Sequence, residues 1–337
     1  MAKDEYQAAR EGAALFDRSD AGKIAVAGAD RLSYLHAMVT QDLLALQPGT
    51  GCYAAYLTPQ GRMISDMRVL ELGDAVLLDL PASRVTTVIE KLAQFVFTED
   101  VRLGDLTEAF GKLTVVGPGA ADVVGTVLGG TDTGRSLELQ AWPEYRNRRI
   151  EWEGDTVVLA STAELGLAGF DLYVERSRLQ SLGAALADAG ARSSSADVAE
   201  VLRVEAGLPA FGKDMDGDTI PLEAGIDARA ISFTKGCYPG QEVIIRVVHR
   251  GHGRVARKLT GLLLDGTSVP ARDDLLRSGE RDAGRVTSAV FSPALDRPIA
   301  IAMVQRDFLQ PGTELTVLHG GQGLKATTTA LPFRAND

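Results

Sequence analysis

At 337 residues the chain exceeds one ordinary core, so two or three domains are expected. Its 45% hydrophobic and 24% charged residues are the balance of a globular protein, and a net charge of −10 excludes a general coat for nucleic acid or anionic membrane. No apolar run approaches the roughly 20 residues of a bilayer span, Met1–Glu5 lacks a signal-peptide layout, and two cysteines predict neither a disulfide framework nor a four-thiolate cluster, which fits a reducing cytoplasm.

In chain order, Lys23–Ala27 reads as a strand ended by Gly28, and Asp30 as the cap of a helix carrying Leu32, Leu35, Met38 and Val39. Cys52–Leu57 leads through the turn Thr58-Pro59-Gln60-Gly61 into the strand Met63–Leu72. Gly73-Asp74 then closes a hairpin into Ala75–Leu80. Apolar residues at Val85, Val88, Ile89, Leu92 and Val96 predict a helix over Val85–Phe97 facing a sheet. A second round follows: strand Leu113–Val116, helix Gly119–Leu128, a loop from Gly129 to Asn147, strands Val157–Ala160 and Phe170–Val174, and helix Arg178–Ala189. Irregular alternation with hairpins predicts α+β architecture, and the two rounds hint at a duplication.

Ser194 to Gly207 is the most informative helix. Ser194-x-x-Asp197 has the spacing of a capping box, and Gly207 is placed to stop the helix. Its apolar stripe, Val198, Val201 and Leu202, continues at Glu205, a carboxylate on the inward face. Such a group is costly unless paired, which makes it a candidate for holding donors on a ligand. Asp214-x-Asp216-Gly217-Asp218 misses the calcium-loop spacing and reads as a solvated acidic turn.

Lys235-Gly236-Cys237-Tyr238-Pro239-Gly240-Gln241-Glu242 packs an amine, a thiol, a phenol, an amide and a carboxylate into one loop. Two glycines there let the backbone approach a ligand closely. The following Val243–Val248 fits a strand or a helix. Lys235, Arg246, Arg250, Arg254, Arg257 and Lys258 invert the global charge, with His249 and His252 adding to them below neutral pH. That cluster suits an anion, whether a carboxylate tail, a phosphate or RNA across 246–258. Short strands at Leu259–Leu264, Gly284–Ser288, Ile299–Val304 and Leu315–Leu318 predict a C-terminal β-barrel or sandwich. The expected divisions are 1–110, 111–254 and 255–337, with discontinuity allowed between the first two.

These residues carry a resemblance. Lys235-Gly236-Cys237-Tyr238-x-Gly240-Gln241-Glu242 with Arg246 and Arg250-Gly251 is similar to the signature of YgfZ-type proteins. These are the folate-binding branch of the superfamily that includes the glycine cleavage T-protein, or aminomethyltransferase. Gly28-x-Asp30-Arg31, Thr40-x-Asp42, Thr58-Pro59-x-Gly61-Arg62 and Arg203-x-Glu205-Ala206-Gly207 support it. The resemblance implies two ferredoxin-like α+β domains around a central cavity plus the small β-barrel. It implies tetrahydrofolate or a derivative as ligand, with no tightly bound metal. Ligand contacts would fall to Glu205, Arg203, Tyr238, Gln241, Glu242, Arg246 and Arg250, with Cys237 a reactive thiol beside Lys235.

The first functional reading is folate binding in the assembly or repair of iron–sulfur proteins, linked in some relatives to tRNA modification, with a cluster carrier or client protein as partner. An aminomethyl-transfer enzyme is the alternative, and a non-enzymatic scaffold that docks a cluster carrier is the third. The T-proteins' catalytic aspartate is expected near the segment Leu80–Thr86, where this sequence offers no counterpart.

Overall fold

The computed structural model describes residues 3–129, 138–249 and 253–333. These fall into two compact units: Met1–Leu57, Ile64–Ala199 and Arg229–Pro239 form one, and Thr58–Met63, Glu200–Ala228 and Gly240–Asp337 the other.

Unit 1 is α+β, built on two sheets. After helix α1 (Lys3–Glu11) and strand β1 (Ala14–Asp17) comes β2 (Ala21–Ala27), helix α2 (Arg31–Met38), β3 (Gly51–Leu57), β4 (Met63–Glu71), β5 (Ala75–Pro81), helix α3 (Val85–Ala93) and β6 (Arg102–Asp105). One sheet has the order β3-β4-β5-β2-β6. Its core joins Ile24, Val26, Val69, Val76 and Leu78 of the strands to Leu35 and Met38 of α2 and Val88 and Leu92 of α3. The helix from Val85 stops at Ala93, short of the expected Phe97. Phe95 and Phe97 are exposed beyond it, so the apolar stripe overran the packed face.

The second round supplies β7 (Phe110–Val116), helix α4 (Ala120–Leu128), β8 (Asn147–Trp152), β9 (Asp155–Thr162), β10 (Gly169–Glu175), helix α5 (Leu179–Asp188) and β11 (Arg192–Ser193). Their sheet has the order β11-β1-β7-β10-β9-β8, so the N-terminal strand β1 belongs to the second sheet rather than the first. Leu70 and Leu77 of one sheet meet Val158, Ala160 and Tyr173 of the other. The same layer holds an ionic network. Arg68 reaches Asp79 at 2.6 Å, Asp171 at 2.6 Å and Glu164 at 2.7 Å, and Lys112 reaches Asp79 at 3.1 Å. Arg68, Asp79, Asp171 and Lys112 are all buried, so removing one partner would strand the rest.

Helix α6 (Ala196–Glu205) begins one residue later than its capping-box spacing predicts. Ser194 Oγ instead donates to the Arg192 carbonyl. The Glu5 carboxylate accepts from Ser195 N at 2.8 Å and from its hydroxyl at 2.7 Å. Gly207 follows the helix at φ +64°, as the stop requires.

Unit 2 contains helices α7 (Pro221–Ala224) and α9 (Gln241–His249), with the short α8 (Asp227–Ala230) crossing back to unit 1. Its barrel closes in the order β12 (Arg257–Leu264), β15 (Arg297–Gln305), β14 (Arg281–Ser292), β13 (Leu275–Ser278), β16 (Glu314–His319) and β17 (Gln322–Thr329). Closure removes free strand edges around a core that includes Leu262, Leu276, Val286, Ala300, Ala302, Leu315 and Val317. Among the described residues no helix is long and apolar enough to cross a membrane.

Candidate functional site

The signature loop divides between the units. In unit 1, Thr40 anchors its start: the hydroxyl donates to the Ala230 carbonyl at 2.6 Å, and the Thr40 carbonyl accepts from Ser232 N at 3.0 Å. Lys235 then turns inward. Its ammonium donates to the Val39 carbonyl at 2.6 Å and to the His36 carbonyl, at the C-terminal end of α2 where a cation is favoured. It also lies 5.1 Å from the centre of the Tyr238 ring. Burial pushes the amine down to about 8. Two backbone carbonyls hold the amine, and it ties the loop to α2.

Tyr238 is buried, which pushes its phenol up to about 12. Cys237 is exposed. Cys52 is half-buried on β3, and burial pushes its thiol up to about 12.

Unit 1 also holds a carboxyl that the sequence reading missed. Strand alternation puts Asp66 of β4 on the face of Arg68, toward the layer between the sheets. Tyr53 Oη of β3 donates to Asp66 Oδ2 at 2.7 Å, while Oδ1 is buried with no hydrogen-bond partner. Burial pushes the Asp66 carboxyl up to about 6, and the Tyr53 bond offsets part of that rise. A carboxyl poised near neutrality with one oxygen unengaged is equipped for proton transfer. The signal in the sequence was one of two acids, Asp66 and Glu71, within the predicted strand Met63–Leu72. By contrast, Leu80–Thr86, where an acid was sought, forms the end of β5 and the turn into α3.

In unit 2 the ambiguous run Val243–Val248 is helical. Gly240, at φ +84°, gives α9 its start, and a Cβ there would sit 2.5 Å from the Thr58 carbonyl. Val243 packs on Gly61 of the same turn, and Ile244 is fully buried. Tertiary packing thus overrides the strand preference of the β-branched residues. The other face, Gln241, Glu242, Ile245 and Arg246, lines an open groove of about 290 Å³.

Two of the basic residues are engaged elsewhere. Arg257 pairs with Glu223 at 3.3 Å and donates to the Asp218 carbonyl at 3.0 Å. Lys235 points inward in unit 1, and Arg250 and His252 lie outside the described residues.

Glu205 ends α6 as a buried carboxylate, 5% exposed, and accepts a hydrogen bond from Ser292 Oγ of the barrel at 2.5 Å. Two residues earlier, Arg203 uses all five of its N–H groups. They go to Glu200 at 3.0 and 2.6 Å, to the Leu208 carbonyl at 2.5 Å, to Asp214 at 2.7 Å and to Ser288 at 2.8 Å. Arg203, expected among the ligand contacts, has no donor left to offer. It instead fixes the end of α6, and with it Glu205, to the barrel. Asp214 is correspondingly buried, not part of a solvated turn. Burial opposes the charge of Glu200, yet Arg203 and Lys213 hold its carboxyl down to about 2.

Comparison with known proteins places this geometry. Residues 1–235 match the family described as the GCVT N-terminal domain, and residues 257–334 match the glycine cleavage T-protein C-terminal barrel domain. The chain belongs to the glycine cleavage T-protein family. Relatives within reach include an aminomethyltransferase of Saccharopolyspora erythraea, 29% identical over 336 residues, covering 98% of this chain and 89% of the relative. An aminomethyltransferase of Rubrobacter xylanophilus is 29% identical over 333 residues, covering 98% and 86%. The crystal structure of glycine cleavage system aminomethyltransferase T from Bartonella henselae aligns with a TM-score of 0.87 at 22% identity, over 98% of this chain and 89% of that one. That likeness shows the T-protein fold.

Proposed function

We propose that this protein is a tetrahydrofolate-dependent one-carbon transferase of the T-protein type, acting on an aminomethyl group. The observation that carries the reading is the end-to-end likeness to chains named aminomethyltransferase, which favours this alternative over iron–sulfur maintenance. The residues present suit a reduced folate, whose pterin carries N–H donors and whose tail carries carboxylates. Glu205 is a buried acceptor for such donors, and a carboxylate can take two of them in a paired arrangement. Gln241 and Arg246 line a groove that offers an amide and a cation to the tail. Bound tetrahydrofolate would supply the amine that accepts the one-carbon unit. Asp66 Oδ1 supplies the chain's own acid–base function, giving a proton to the departing ammonia.

The test is direct. Purified protein, combined with the other glycine-cleavage components and tetrahydrofolate, should release ammonia, and Asp66→Asn should lower the rate by 100-fold or so. Background ammonia from the unaltered protein overturns the reading.

A second reading draws on one observation, the exposure of Cys237 within Lys235-Gly236-Cys237-Tyr238. On that reading the protein binds folate without transfer and serves iron–sulfur protein assembly, with Cys237 meeting a cluster carrier or client. Tight folate binding without ammonia release, together with loss of cellular iron–sulfur activity in Cys237→Ser, would favour it.

A further inference from the structure

We infer that Arg229 is a positioning residue for Asp66, acting through the Tyr53 phenol. The inference rests on the reading of Asp66 as the acid–base group and names the parts that present it. Arg229 sits at the start of the chain segment that rejoins unit 1. Its Nη2 donates to Tyr145 Oη at 3.1 Å and lies 3.4 Å from Glu144 Oε1, while its own carbonyl accepts from Gln41 Nε2 at 3.0 Å. So held, the guanidinium carbon lies 5.1 Å from the centre of the Tyr53 ring.

Two effects follow from that stacking. A cation against a phenol ring is attracted by the ring's electrons and fixes the ring's tilt. It also draws density from the oxygen, making the O–H a stronger donor. Tyr53 Oη spends that donor on Asp66 Oδ2 at 2.7 Å. With Oδ2 committed, Oδ1 is the oxygen of Asp66 that stands without a partner. The relay Glu144–Arg229–Tyr53–Asp66 therefore selects which carboxyl oxygen exchanges a proton and holds its direction. None of its members would be picked from sequence spacing, because they come from β3, β4, the loop before β8 and α8.

The inference is tested on the full chain by a carboxyl-carbon NMR titration of Asp66 with no substrate present. Besides Tyr53, the charged groups that act on Asp66 are Arg68 on its own strand and Glu164 between β9 and β10; both stay in place in every variant. Tyr53→Phe removes a hydrogen bond to the charged form and should raise the Asp66 midpoint, by about half a unit or more. Arg229→Gln should raise it in the same direction. In the Tyr53→Phe background, the added Arg229→Gln should change it by less than half as much as it does alone, because the path is already cut. An unchanged midpoint in Arg229→Gln overturns the inference, as does an equal shift in both backgrounds, which would mean a through-space charge effect. If Arg229→Gln fails to fold, Arg229→Lys takes its place in the same cycle, since Lys keeps the charge but loses the planar stack. The titration reads the relay alone, whereas ammonia release reads the function, so failure of either is distinguishable.

Discussion

Arg203 and Asp214 form an ion pair, Nη1 to Oδ2 at 2.7 Å, in which the carboxylate side chain is completely buried. Asp214 Oδ2 also accepts from Ala210 N at 3.0 Å, and its Oδ1 accepts from Thr287 Oγ1 of the barrel at 2.6 Å. The pair thus joins the end of α6, the turn after it and strand β14. Breaking one side of such a pair leaves an uncompensated buried charge. Arg203→Ala should therefore cost about 3–5 kcal/mol in chemical denaturation. Arg203→Lys should recover only part of the loss, because one ammonium cannot replace a five-donor fork. A loss below about 1 kcal/mol for Arg203→Ala would contradict the buried-network assignment.

Glu205 gives a binding prediction. Removing its carboxylate should leave ligand donors buried and unpaired, at a cost of about 2–4 kcal/mol. Glu205→Ala should weaken binding of a reduced folate at least tenfold by calorimetry while the far-ultraviolet dichroism is retained. Unchanged affinity would take Glu205 out of the proposed contacts.

Asp66 gives a pH prediction. Its folded-state pKa of about 6 lies above the roughly 3.9 of an unfolded aspartate. A carboxyl raised on folding contributes stability that is fully present below about pH 4 and lost as pH rises through about 6. Asp66→Asn removes the ionisation, so its melting temperature should exceed that of the unaltered protein at pH 8 and match it near pH 4. The gain should be on the order of 1–2 kcal/mol after allowance for the partly exposed carboxyl. Identical pH dependence in the two proteins would place the Asp66 pKa in the ordinary range.

The two thiols should separate by reactivity. Cys237 is exposed, whereas Cys52 is half-buried with its pKa pushed up to about 12, so little of it is thiolate at neutral pH. An alkylating probe at pH 7 followed by peptide mass spectrometry should label Cys237 much faster. On the transferase reading, Cys237→Ser should keep ammonia release near the original rate.

Gly240 provides a backbone test. Its φ of +84° is disfavoured for any side chain, and a Cβ would lie 2.5 Å from the Thr58 carbonyl. Gly240→Ala should cost more than about 1 kcal/mol and loosen the start of α9. Hydrogen exchange at Val243 and Ile244 that matches the unaltered protein would refute this.

Elements with a sustained period were legible in the sequence: the strands from Lys23, Met63 and Ala75, the helices from Val85 and Arg178, and the Ser194–Gly207 helix with Glu205 turned inward. Each rests on local spacing, which the chain carries in its own order. Gly207 and Gly240 were likewise readable, since a positive φ is a local demand. Tertiary structure decided the rest. Whether Val243–Val248 became strand or helix depended on Gly61 and the buried seat of Ile244, not on propensity. That β1 joins the second sheet is a pairing across some hundred residues, which no local pattern encodes. Lys235 turned inward because two carbonyls of α2 waited for it, and Arg203 was consumed by partners drawn from α6, the following turn and the barrel. Asp66 looked like any acid in a strand. Its pKa comes from burial between two sheets and from a phenol thirteen residues earlier, and only folding brings those together.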